Sequence, residues 1–91
     1  MASYEKDLDN ILKRLRRIEG QVRGLQRMVS EGQYCVDVLT QISSVRRATE
    51  QVGLIVLRDH IHGCVADSFG SDDAEQRIDE LIEAVERFLK T

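Results

Sequence analysis

Apolar residues in the first third of the chain recur at spacings of 4, 3, 4, 3 and 4: Ile11, Leu15, Ile18, Val22, Leu25 and Val29. That rhythm collects them into one stripe of a helix, with the near-heptad period of a helix-packing seam. It predicts a helix from about Tyr4 to Val29, closed by Ser30-Glu31-Gly32, where Gly32 suits the left-handed position that ends helices. A second helix is predicted from about Tyr34 to Asp67, with Val38, Leu39, Ile42, Val45, Val52 and Val56 on one stripe and Leu54, Leu57 and Ile61 on another. At the usual rise it would be close to ~50 Å long, far beyond the ~13 Å radius of a compact domain of this size. Apolar surface on two sides of so long a helix is better explained by packing between subunits than by a monomer. Phe69-Gly70-Ser71-Asp72 breaks the pattern. Asp72 with Glu75 then resembles a capping box opening a third helix to about residue 90, with Ile78, Leu81, Ile82, Val85, Phe88 and Leu89 inward.

No segment alternates with period two, so the fold class is all-α, one domain over residues 1–91 with helices at about 4–29, 34–67 and 72–90. A chain of 91 residues buries only a modest part of its surface alone, and oligomerisation is expected. No stretch approaches the roughly 20 apolar residues of a membrane span, and the first residues lack the apolar core of a signal peptide. The expected location is the cytoplasm. There, Cys35 and Cys64 stay reduced, which favours metal binding, a reactive thiol or core packing over a structural disulfide.

The net charge of −3 hides a gradient. Residues 1–30 hold seven basic and four acidic groups, whereas residues 65–91 hold three and eight. On a helical wheel Lys13, Arg16, Arg17 and Arg27 lie opposite the apolar seam of the first helix, with Gly20 and Gly24 on the same side. Each glycine costs a helix about 1 kcal/mol against alanine, so close approach by an external backbone competes with simple tolerance. A basic face is more often solvated surface, but repeated in an oligomer it accumulates phosphate contacts. Lys13, Arg14, Arg16 and Arg17, joined by Arg46 and Arg47 on the second helix, are the candidate contacts to double-stranded DNA. No obvious reading helix presents side chains to base edges, which implies recognition mainly by backbone and shape.

The candidate chemistry lies in Cys35, His60 and Cys64. His60 and Cys64 are four residues apart and fall on one side of a helix. Cys35 is about 37 Å away along a continuous helix, so it joins them only from a second chain. If the long helix pairs antiparallel with its copy about an axis near Ala48 and Thr49, Cys35 of one chain faces the 60–64 region of the other. Two thiolates and an imidazole suit a soft cation of low coordination number, Cu(I) foremost, while zinc would need a fourth ligand. His62 points about 200° away from His60 around the helix and does not supply it. Taken singly, each cysteine also reads as a small buried hydrophobe. A purely structural helical bundle is the competing interpretation. An enzyme is disfavoured, because no set of nucleophile, base and orienting group and no phosphate loop is present.

Three stretches, Leu-Lys-Arg-Leu-Arg-Arg-Ile-Glu-Gly-Gln-Val-Arg-Gly at 12–24, Tyr-Cys-Val-Asp-Val-Leu-Thr-Gln-Ile-Ser at 34–43 and Asp-His-Ile-His-Gly-Cys-Val at 59–65, closely resemble the CsoR/RcnR family of metal-sensing repressors. The resemblance implies a three-helix protomer, an antiparallel four-helix-bundle homodimer and a dimer of dimers. It implies a repressor that holds operator DNA as the apo tetramer and releases it on binding Cu(I), derepressing copper-resistance genes. The Cys35, His60, Cys64 combination resembles the copper branch; the last ligand and N-terminal histidine of nickel and cobalt members are replaced here by Cys64 and Ser3. A persulfide-sensing branch, which uses both cysteines and lacks the histidine, is the alternative. Tyr34 and Glu80 match positions that hydrogen-bond around the ligand histidine in copper members, where a held imidazole N–H fixes the tautomer. One departure is Gln51, where the family often has Lys or Arg; Arg46 and Arg47 are the expected substitutes.

Overall fold

The protein enters through a 3-10 turn, Ser3–Asp7, and continues directly into α1, Leu8–Ser30. A short connection leads to α2, Cys35–His60, which widens into a π-helical turn over Ile61–Val65; the last element is α3, Ala74–Leu89. The computed structural model describes residues 3–65 and 74–89, and among these there is no strand. The all-α expectation therefore holds. Two boundaries differ from the sequence pattern. The first turn is 3-10 rather than α, and α2 stops at His60 before the π turn, the i→i+5 hydrogen bonding of which leaves no trace in apolar spacing. Residues 66–67 and 90 and the proposed cap at Asp72 lie outside the described residues.

The turn after α1 follows the expected chemistry. Gly32 has φ +69°, its N–H donates to the Val29 carbonyl at 3.1 Å, and the Gln33 N–H donates to Met28 at 3.0 Å. These are the paired hydrogen bonds of a Schellman ending, with glycine where a Cβ would be strained. The chain reverses and α2 packs back along α1.

The core is small. Among the described residues Ile11, Val52 and Ile55 are its buried apolar residues, with Ile18 and Val56 packed against them. Ile55 belongs to neither predicted stripe of α2; it lies beside Val52 and Val56 of the first stripe and joins them against Ile11, whereas Leu54 and Ile61 of the second stripe are exposed. Much of the apolar pattern lacks cover: Leu15 on the α1 seam is 42% exposed and Leu39 on α2 is 61% exposed. The shape matches, with extents of 56 × 28 × 13 Å and a radius of gyration of 17.2 Å, against roughly 12 Å for a compact chain of this length. α3 packs against the π turn, and near its end Phe88 reaches α2. A Cβ at Gly53 would stand 2.6 Å from the Phe88 ring, so that glycine is the seat of the α3 aromatic. No helix among the described residues is long and apolar enough to cross a membrane.

Candidate metal centre and basic face

Cys35 is the first residue of α2 and is exposed. Tyr34 precedes it in an extended conformation (φ −57°, ψ 136°); its carbonyl accepts the Asp37 and Val38 N–H groups at 3.0 and 3.1 Å, which starts the helix. Its side chain makes no capping bond and is 70% exposed. At the opposite end His60, half-buried, is the last residue of α2, and the backbone of Cys64 lies in the π turn that follows. The 26 residues from Cys35 to His60 form one unbroken α-helix, which at the ordinary rise separates its ends by about 37 Å. Within a protomer Cys35 and His60 are not brought together. Among the described residues no group of three or more His, Cys, Asp or Glu side chains is positioned to hold a metal ion. The donor set itself, two sulfurs and one imidazole, fits a soft cation once two chains contribute.

Glu80 lies on α3, half exposed, and receives Arg77 at 3.5 Å. His62 lines a cleft of about 540 Å³ between α1 and α2, alongside Asn10, Arg14, Gln51 and Arg58. His60 is not part of that lining, and two guanidiniums make it a poor place for a cation.

Of the expected DNA contacts, Lys13, Arg16 and Arg17 share one exposed face of α1, and Arg14, also exposed, stands at its flank beside the cleft. Arg14 donates from Nε to Asn10 Oδ1 at 3.3 Å. Among the described residues no ion pair engages Lys13, Arg16 or Arg17, whereas Arg46 on α2 pairs with Glu50 at 3.6 Å. Arg47 is exposed. Nothing lies within 4 Å of a Cβ placed at Gly20 or Gly24, so the groove they leave is open.

Sequence reasoning missed a buried charge beside the candidate ligands His60 and Cys64. Asp59 is 1% exposed, and its Oδ1 faces Lys6 Nζ at 3.7 Å. Asp7 is held well enough by the same carboxylate to raise its pKa above the ordinary 3.8: the hydrogen bond to Asp59 contributes most, then partial burial and repulsion by Asp59, against the lowering pull of Lys6 and Arg58. Asp59 Oδ2 is buried without a hydrogen-bond partner among the described residues. The signal was present, since Val52, Ile55 and Asp59 follow a 3, 4 spacing and a carboxylate on an apolar line requires a cation.

Residues 7–87 match the family described as metal-sensitive transcriptional repressor. The chain belongs to that family. It is thus a transcriptional regulator rather than an enzyme. Among its relatives, the copper-sensing transcriptional repressor CsoR of Bacillus subtilis is 52% identical over 94% of this chain and 85% of its own length. RicR of Mycobacterium tuberculosis, also a copper-sensing repressor, is 44% identical over 97% of this chain and 94% of its own. In three dimensions the chain superposes on the copper-sensing repressor CsoR of Geobacillus thermodenitrificans, solved with Cu(I), with a TM-score of 0.85, 44% identity and coverage of 93% and 88%. The nickel-responsive regulator InrS superposes with a TM-score of 0.77, 40% identity and coverage of 89% and 91%. The two folds are shared across different metals, so the choice of metal rests on donor chemistry.

Proposed function

We propose that this chain is a cytoplasmic copper(I)-responsive repressor. Its apo tetramer, a dimer of antiparallel four-helix-bundle dimers, holds operator DNA through the faces bearing Lys13, Arg14, Arg16, Arg17, Arg46 and Arg47. Cu(I) binds Cys35 of one protomer with the partner's His60 and Cys64, and operator is released. The observation that carries this reading is the unbroken helix between Cys35 and His60: a soft-metal ligand set divided between its ends is complete only when two such helices lie antiparallel. Tyr34 and Glu80 are assigned to orient the bound imidazole, which the same pairing would bring to one end of the bundle. The two thiolates favour Cu(I) over nickel.

Linkage fixes the energetics. Copper weakens operator binding by the factor by which it prefers the DNA-free tetramer, typically about 5- to 150-fold. Anaerobic Cu(I) titration followed by ultraviolet absorption, together with operator binding by fluorescence anisotropy, tests the scheme. Cys35→Ala and His60→Ala should each abolish high-affinity Cu(I) binding while leaving apo operator affinity within about 3-fold, since both lie away from the basic face. Copper-loaded protein that holds operator as tightly as apo protein would refute the reading. The exposed thiol of Cys35 favours a second reading, thiol-reactive sensing at Cys35 and Cys64; operator release by polysulfide but not by Cu(I) would select it.

A further inference from the structure

The buried Asp59 carboxylate has no part in the scheme above, yet it stands one residue before His60 and two before the π turn. The cation that engages it comes from the N-terminal 3-10 turn, Lys6 at 3.7 Å, and Asp7 of the same turn lies close enough for the two carboxyls to repel. That turn packs against α1, α2 and the π turn alike. It is also continuous with α1, so Lys13 and Arg17 follow Asp7 by about 9 and 15 Å along the same helix axis. A carboxylate that is 1% exposed does not easily give up its cation, because an unpaired buried charge is severely penalised. Any rotation of the last turn of α2 must therefore carry Lys6 with it or break the pair.

We propose that Lys6 and Asp59 are positioning residues that couple metal ligation at His60 to the basic face of α1. The inference rests on the copper-responsive reading. Neither residue touches metal or DNA. Drawing the His60 imidazole into a site shared with the partner chain turns the end of α2, Asp59 moves with it, and Lys6, in the turn continuous with α1, transmits that movement into the first turn of α1. The π turn suits this role, since its wider winding already departs from the α-helical register where ligand and clip meet.

A purely structural staple would support both states equally, so its loss would lower Tm and leave the copper effect on DNA unchanged. The deciding quantity is the ratio of operator dissociation constants with and without saturating Cu(I). Lys6→Met keeps the stem of a side chain that is 62% exposed but leaves the Asp59 charge without its cation, so its fold is checked by circular dichroism at the assay temperature, and Asp59→Asn, which leaves no orphaned charge, decides if it is unfolded. Its ratio should fall by roughly 5-fold or more relative to the parent, while Cu(I) affinity without DNA, measured by chelator competition, stays within about 3-fold. Lys6→Arg should restore the parental ratio, and Asp59→Asn should reproduce the loss; if Asp59→Asn does not fold, Lys6→Met and Lys6→Arg decide. A Lys6→Met ratio equal to the parent overturns the proposal. So does a ratio that falls only because apo binding weakens with a shallower salt dependence, which marks Lys6 as a phosphate contact. Failure of the parent itself to respond to Cu(I) is a different result and removes the repressor reading beneath it.

Discussion

Asp7 shows how one residue's surroundings set the sign of a pH effect. Its carboxyl is held above its usual 3.8 by Asp59, through hydrogen bonding, partial burial and repulsion. A carboxyl with a raised folded-state pKa binds its proton more tightly folded than unfolded. The resulting stability is full below 3.8 and is lost as pH climbs through the raised value. At neutral pH the ionised Asp7 therefore opposes the fold. Asp7→Asn should raise Tm at neutral pH and flatten its decline over the window above 3.8, because an amide donates to Asp59 without carrying charge. Thermal melts of both proteins across that window check it; a parallel pair of curves would contradict the assignment. Single residues were also where sequence reading fell short. Lys6 and Asp59 are far apart in sequence, and neither belongs to a pattern that reports on the other until the 3-10 turn folds over the end of α2.

At the scale of elements, the apolar period located all three helices, and the turn between the first two carried its own signature at Gly32. Substituting that residue tests the reading directly. Gly32→Ala places a Cβ at φ +69°, costing about 1–2 kcal/mol, and no neighbour within 4 Å relieves or worsens the strain. Urea unfolding should show the midpoint fall at constant slope. The period was blind to the ends of the helices. A 3-10 start and a π-helical exit differ from α-helix in hydrogen bonding rather than in which residues are apolar, and here both lie beside Asp59. The separation of the candidate ligands Cys35 and His60 to opposite ends of α2 was legible because helical geometry converts a count of residues into a distance. The roles of Tyr34 and Glu80 came from resemblance alone, and within the protomer Glu80 engages Arg77.

The protomer is a thin, elongated object, and among the described residues only Ile11, Val52 and Ile55 form its buried apolar core. So little burial does not offset the ordering of three helices. The exposed apolar residues of α1 and α2, Leu15 and Leu39 among them, await cover of the kind a second chain provides. Stability should therefore depend on protein concentration. Tm should rise with each tenfold increase in chain concentration, with sedimentation reporting the assembly lost on dilution; a concentration-independent Tm across the range in which the oligomer dissociates would mean the protomer stands alone. This size, charge gradient and apolar excess were all readable in the sequence, because they are sums over residues and do not depend on any one placement.

The unbroken run from Cys35 to His60 has a genetic corollary. If each copper site draws its ligands from opposite ends of two chains, a Cys35→Ala chain and a His60→Ala chain, each inert alone, should complement one another when co-expressed. In the mixed dimer both lesions fall in one site and the other is wild type. Recovery of about one high-affinity copper per heterodimer, from two parents with none, would be the mark of trans-acting ligands.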